Sequence, residues 1–255
     1  MQAYTRAVSP RLDDCALTHL ERVPINVARA TEQHAAYEEA LLLCGCALRR
    51  LPPLPDAPDG VFVEDTAVLL DRTAIITRPG APTRVGETAS VAAMLTEHYD
   101  VRHLPAGRLE GGDVLRVGRT LYVGLSQRTD AAGFAALREI AAPLGFNMVQ
   151  VPVGGCLHLK SAVSVAGEIG GRPVLAINPD WIDSAVFGNA ILCIVDPDEP
   201  WAANVLAIGG TVLTGESSPR TQERLSALGL SVETLDTSEL RKAEAGLTCM
   251  SLIGD

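Results

Sequence analysis

Four stretches of this 255-residue chain repeat one order of elements at an almost constant interval. Each runs from a short polar signature through two short strands around a turn, then a loop, a helix and a further strand. The first begins at Val61 with VFVEDTAVLLDRTAIITRPGAPTR, continues as a helix over 87–99 and ends in VRHLP. The second is LEGGDVLRVGRTLYVGLSQRT, a helix over 131–144 and FNMVQVPV. The third is LHLKSAVSVAGEIGGRPVLAINP, a short helix over 181–187 and AILCIVDP. The fourth is WAANVLAIGGTVLTGESSPRT, a helix over 221–228 and LSVETLD. A fifth unit reads as split: 246–253 supplies a strand, while AYTRAVS, a helix over 30–43 and CALRRLP supply the remainder. Joining the two chain ends in one unit closes a ring and leaves no sheet edge exposed.

A period of about 45 residues signals radial repetition of a ββαβ unit. Glu64, Glu110, His158, Asn204 and Cys249 occupy one register of it, at intervals of 46, 48, 46 and 45 residues. Equivalent positions around an axis point to one central place, so two carboxylates, an imidazole, an amide and a thiol are expected to converge. A buried structural thiol is the commonest fate of a free cysteine. Convergence with His158 and Glu110 makes Cys249, at the mouth of its strand, a candidate nucleophile instead.

Composition narrows the partners. The apolar share of 47% is ample for a sizeable core, and the chain is expected to form one domain over 1–255. No run approaches the ~18–20 apolar residues of a membrane span, and the N-terminus lacks the apolar segment of a secretory signal. The six cysteines show neither a paired framework nor zinc-like spacing, so reduced thiols in a cytoplasmic protein are expected. A net charge of −10 argues against nucleic acid and anionic membranes as partners. It suits a cationic small molecule. A homodimer is compatible with the chain but not specified by it.

At these residues the chain resembles the dimethylarginine dimethylaminohydrolase family of the guanidine-modifying, amidinotransferase-like superfamily. The matching stretches are PDGVFVEDTAV (58–68), ITRPGAPTRVGE (76–87), LEGGDV (109–114), VGLSQRT (123–129), LHLK (157–160), AAN (202–204) and GLTCMS (246–251). They come in family order and span nearly the whole chain. The resemblance implies a five-bladed α/β propeller with pseudo-fivefold symmetry and the substrate at its centre. It implies hydrolysis of Nω-methylated arginine to citrulline, with release of methylamine or dimethylamine and no cofactor. By the same resemblance Cys249 is the nucleophile, His158 the general acid and base, and Glu110 the carboxylate that orients the imidazole. Asp59, Glu64 and Asp65 match the acidic cluster that recognises substrate, and Arg84 and Arg128 the arginines that bind its amino-acid end. Leu17, in a loop over 11–21, matches the residue whose backbone meets the substrate. Some members carry Asp in place of Glu110 or of Glu244.

The residue types suit that chemistry. A guanidinium is planar, cationic and a poor electrophile, and carboxylates grip its N–H groups while holding its carbon near a thiolate. The departing amine needs a proton, which an imidazolium supplies. A covalent thiouronium on Cys249 would then be hydrolysed. Alternation in LHLK puts His158 and Lys160 on one side of a strand. Cys156 beside His158 invites a metal reading, but without further ligands at suitable spacing no resident metal is expected. Cys15 is expected to be exposed in its loop, Cys44 and Cys46 to lie in the core, and Trp181 and Trp201 to serve packing. Arginine or agmatine deiminases and amidinotransferases use the same machinery, and a non-catalytic binder of arginine derivatives would keep the pocket. These remain the alternatives.

Overall fold

The computed structural model describes residues 1–254, whose named strands form five three-stranded sheets. All five are wound alike. In the first repeat Ala67–Leu70 and Thr73–Ile76 form an antiparallel hairpin, and Asp100–His103 lies parallel to Thr73–Ile76. A parallel neighbour requires a crossover, here the turn Pro82–Glu87 and the helix Thr88–Leu95. The second repeat uses Val114–Val117, Thr120–Leu125 and Asn147–Pro152, with the helix Ala131–Ala141 between the last two. The third uses Val163–Ile169, Arg172–Ile177 and Ile191–Ile194; the fourth uses Leu206–Ile208, Thr211–Gly215 and Ser231–Leu235. In the fifth sheet Leu252–Gly254 pairs antiparallel with Gln2–Thr5, which pairs parallel with Ala47–Arg50 across the helix Val27–Leu43.

Local chemistry accounts for the element ends. Asn26 and Asp130 cap their helices by accepting the backbone N–H of Arg29 and Gly133, which removes one orphan donor from each first turn. Thr73–Ile76 is buried along its whole length, as a central strand covered on both faces must be.

The apolar core is divided among the sheets. One cluster joins Tyr4 and Leu252 of the fifth sheet to Ala74 and Ile76 of the first, and another joins Val68 and Ile75 to Leu121 and Val123 of the second. Leu115 then packs with Val163 and Leu175, Val174 with Val205 and Val212, and Leu213 with Ala3 and Met250. Each sheet thereby shares a core with the next. Among the described residues no helix is long and apolar enough to cross a membrane.

Several local expectations are corrected. The helix expected over 87–99 ends at Leu95. That expected over 181–187 is only the turn Ser184–Phe187, which Asp183 caps by accepting the Ala185 N–H at 2.9 Å and which Gly188, at φ 60°, stops. His158 and Lys160 lie on no strand: His158 is the extended residue preceding a helical turn, Leu159–Ala162. Cys249 belongs to the turn Thr248–Met250, not to the strand after it. Cys15 is fully buried, packed in the cluster that holds Leu12 and Met250.

Candidate active site

The five register residues occupy one structural place, the turn that leads into the first strand of each sheet. Glu64 lies in the turn Val63–Thr66, Glu110 before Gly111–Asp113, His158 before Leu159–Ala162, Asn204 two residues before Leu206, and Cys249 in Thr248–Met250. Hydrogen bonds then run from one turn to the next. His158 Nε2 meets Glu110 Oε2 at 2.6 Å, Asn204 Nδ2 donates to the Lys160 carbonyl at 2.9 Å, and Thr248 N donates to Asn204 Oδ1 at 3.0 Å. Thr248 Oγ1 donates to Glu64 Oε2 at 2.8 Å, and Gly112 N to Asp65 Oδ1 at 3.0 Å.

His158 is clamped twice by the second repeat. Glu110 holds its ring, while Asp113, fully buried, accepts the N–H of Leu159 at 2.9 Å and so fixes the adjoining backbone. Gly112 makes room for the ring, since a Cβ there would lie 2.7 Å from His158 Nδ1 and from Asp65 Oδ1. Glu110 has its other oxygen on the N–H groups of Gly80 and Ala81, at 2.9 and 3.2 Å.

Electrostatics follow from this packing. Burial disfavours the charged imidazole, but the Asp65 carboxylate, the Glu110 hydrogen bond and Asp113 outweigh it and raise His158 to about 9. Glu110 is lowered to about 2, because the His158 bond and charge, with Arg84 and Arg128, overcome its burial. The Cys249 thiol is pushed the other way, to about 12, by burial and by the Glu64 and Asp65 carboxylates; the Gly246 N–H, 3.3 Å from Sγ, and Lys160 oppose this. At neutral pH the site therefore rests as an imidazolium, a carboxylate and a neutral thiol.

Asp59, Asp65, Arg84, Arg128, His158 and Cys249 line one cavity of about 20 Å³. That is room for about one water. Ala16, from the loop that carries Leu17, and Glu244 close it. Leu17 itself is half-buried against the apolar cluster of the fifth sheet. Asp59 accepts the Ala16 N–H with both oxygens, at 3.2 Å each. Glu64 faces elsewhere: it pairs with Lys160 at 2.6 Å and lines a separate cavity of about 490 Å³.

The two arginines differ. Arg84 is engaged by Asp65, by Glu87 and by the carbonyl of Phe62 at 2.7 Å. Among the described residues the Arg128 side chain makes only long contacts, 3.4 Å to Glu110 and 3.3 Å to Thr18 Oγ1. Asp65, Glu110 and His158 offer three ligand atoms within 4.8 Å of one another. Their carboxylates are already committed to Arg84, Arg128 and backbone N–H groups, so a metal cation there would meet two guanidinium charges.

Sequence alone assigns no role to Asp113, Lys160 or Glu244. For Asp113 a signal exists, the turn sequence Glu-Gly-Gly-Asp. For Glu244 there is none, since its importance lies in a loop more than 220 residues away.

Comparison with known proteins places these features in a family. The family described as arginine deiminase matches residues 49–143. The N(G),N(G)-dimethylarginine dimethylaminohydrolase of Streptomyces coelicolor is 39% identical over 98% of this chain and 96% of its own length. A cysteine-to-serine mutant of the Pseudomonas aeruginosa enzyme, solved in complex with citrulline, superposes with a TM-score of 0.91 at 33% identity over 98% of both chains. A dimethylarginine dimethylaminohydrolase with a histidine replaced by glycine, solved as an adduct with S-methyl-L-thiocitrulline, gives 0.89 at 34% identity over 98% of both chains.

Proposed function

We propose, from the premise that the chain belongs to the dimethylarginine dimethylaminohydrolase family, that it hydrolyses Nω-methylated arginine to citrulline and a methylamine. Cys249 is the nucleophile, His158 the general acid and base, and Glu110 its orienting carboxylate. The observation that carries this reading is that His158, bonded to Glu110 at 2.6 Å, lines one cavity with the Cys249 thiol, the three groups coming from three repeats.

The resting thiol is neutral, so a cation must help to ionise it. The guanidinium of the substrate, gripped by Asp59 and Asp65, supplies that charge beside Sγ as the thiol proton leaves to solvent. The thiolate attacks the guanidinium carbon and forms a tetrahedral adduct. His158, already an imidazolium, gives its proton to the methylated nitrogen, which departs as the neutral amine. A thiouronium remains on Cys249. Neutral His158 then takes a proton from water and the oxygen adds to the same carbon; the C–S bond breaks, and the hydroxyl proton passes to the expelled thiolate, which restores the neutral thiol as citrulline forms. Arg128, whose side chain has no partner nearer than 3.3 Å among the described residues, receives the substrate carboxylate, and the Leu17 backbone meets the amino-acid end. Glu64 acts from behind, through Lys160 and Thr248.

The same reading treats the chain as one catalytic domain in which the five sheets close as blades of a propeller with pseudo-fivefold symmetry. The succession of shared cores, from first sheet to second and on to fifth and first, supports closure. All six cysteines are free, which suits the reducing cytoplasm.

A second reading, deimination of unmethylated arginine, is favoured by the arginine deiminase match. A panel of arginine, agmatine and methylarginines separates the two. Citrulline with dimethylamine from asymmetric dimethylarginine, abolished in Cys249→Ser, is expected; ammonia from arginine as the main product would favour the deiminase.

A further inference from the structure

Among the described residues two non-glycine residues have a left-handed backbone, Asp71 at φ 53° and Glu244 at φ 58°. Asp71 sits in an exposed hairpin turn, where aspartate tolerates that conformation. Glu244 is only 6% exposed. Strain of this kind persists where the surroundings hold it, and it marks sites where the held group has a task.

The Glu244 backbone follows the helical turn Ser238–Arg241, its N–H donating to the Arg241 carbonyl at 3.0 Å, and its side chain holds the loop over the cavity. Its carboxylate accepts the backbone N–H of Thr18 at 3.0 Å to each oxygen, that of His19, and that of Leu20 at 2.5 Å. These three residues directly follow Leu17. On the other side of Leu17, the Ala16 N–H is held by Asp59. Leu17 is thus pinned between two carboxylates that both line the cavity.

We propose that Glu244 is a positioning residue for substrate binding, a clamp that fixes the loop over 16–20 with the Leu17 backbone against the substrate. The proposal rests on the function above, from which the Leu17 contact is taken. A cavity of about 20 Å³ admits no amino-acid substrate, since pockets that hold small molecules measure ~300 Å³ or more. Entry therefore requires these bonds to open and reform. A neighbouring cavity of about 290 Å³ shares Glu244 and Ala245 with the first and is lined by Leu20, Glu21 and Val23, which leaves the loop space beside it. Carboxylate bonds to backbone N–H groups are about twice as strong as neutral ones, so the charge of Glu244, and not its bulk, sets the closed state.

The test compares Glu244→Gln, Glu244→Asp and Glu244→Gly in the full chain by amide hydrogen exchange and by steady-state kinetics on asymmetric dimethylarginine. Glu244→Gln is expected to speed exchange at Thr18, His19 and Leu20 about tenfold, with the strand Thr73–Ile76 unmoved. KM should rise by a larger factor than kcat falls, and Glu244→Asp, keeping the charge, should recover part of both. Glu244→Gly releases the backbone strain and is expected to exchange fast at the same amides while staying folded. Unchanged exchange in both Gln and Gly variants would overturn the clamp, and a fall in kcat with KM constant would overturn a role in binding. Exchange needs no turnover, so an inactive wild type would sink the proposed reaction and leave the exchange result for the clamp standing.

Discussion

His158 Nε2 and Glu110 Oε2 lie 2.6 Å apart although their turns belong to successive sheets, and the bond makes the pair's charge state one property. His158 is raised from 6.5 to about 9, so its contribution to stability is complete below pH 6.5 and is lost as pH climbs through about 9. Glu110 is lowered from 4.5 to about 2, so its contribution is present above pH 4.5 and is lost as pH falls through about 2. In Glu110→Gln the imidazolium loses its partner. The stability gap to wild type is expected to be largest at pH 5–6.5, on the order of 1–3 kcal/mol, and to close above pH 9. The alkaline limb of kcat should move down by about one unit or more. Denaturant melts at pH 6 and 9.5 and a kcat profile decide it. An unmoved alkaline limb would mean that another group supplies the proton.

The thiol invites a second test. Glu64 is the foremost charge raising Cys249, while Lys160, 2.6 Å from Glu64, lowers it. Glu64→Gln removes the carboxylate and keeps the ammonium, so the thiol should ionise more readily. Each unit of fall raises the thiolate fraction about tenfold at pH 8. Carbamidomethylation of Cys249 by iodoacetamide, followed by peptide mass spectrometry, is expected to accelerate accordingly. A rate equal to or below wild type would show that the Glu64 charge does not govern the thiol.

Gly112 sets the distance in the His158 pair. A methyl group at this position would lie 2.7 Å from Nδ1 and 2.8 Å from Cγ of the ring, so Gly112→Ala must push the imidazole off Glu110. A loss of about 1–3 kcal/mol in stability is expected from overpacking. The kcat should fall about a hundredfold, with a smaller change in KM, because a general acid out of reach forfeits most of its contribution. Asp113→Asn keeps an oxygen for the Leu159 N–H and should fall less than Asp113→Ala. Equal losses in the two Asp113 variants would show that the charge, not the capping oxygen, is what Asp113 supplies.

The hairpins are legible in the sequence because short apolar runs stand between turn residues, as in AVLLDRTAII. The common register is legible because the repeat interval hardly varies. What departs from expectation is local and has distant causes. LHLK alternates like a strand, yet it turns helical after His158 because Asp113, 46 residues earlier, captures the Leu159 N–H. Cys15 has the surroundings of a loop thiol in the sequence, but the loop folds back onto the fifth sheet and buries it. The left-handed backbone of Glu244 falls where the helical turn Ser238–Arg241 ends, its N–H donating to the Arg241 carbonyl at 3.0 Å, but nothing near it in the sequence points to the loop at Thr18–Leu20 that its carboxylate holds.

Arg84 and Arg128 follow the second strands of their repeats and carry the same motif-based expectation, yet their surroundings differ. The Arg84 Nε donates to both oxygens of Glu87, at 3.2 and 3.1 Å, and its Nη atoms reach Asp65 and the Phe62 carbonyl, all at 4% exposure. Arg84→Ala would leave two buried carboxylates without their cation, at a cost of about 3–5 kcal/mol. Arg128 makes no ion pair shorter than 3.4 Å among the described residues. Arg128→Ala removes a buried cation whose pairing with Glu110 is long, and is therefore expected to lose about 1–3 kcal/mol, less than Arg84→Ala, while KM for asymmetric dimethylarginine rises about tenfold or more if its fork receives the substrate carboxylate. Arg84→Lys should not rescue Arg84, because an ammonium cannot bridge Asp65 and Glu87 as the fork does. Urea melts and KM, measured on the same preparations, separate the roles. If Arg128→Ala melted with Arg84→Ala, or Arg84→Ala kept wild-type stability and raised KM alone, the two assignments would have to be exchanged.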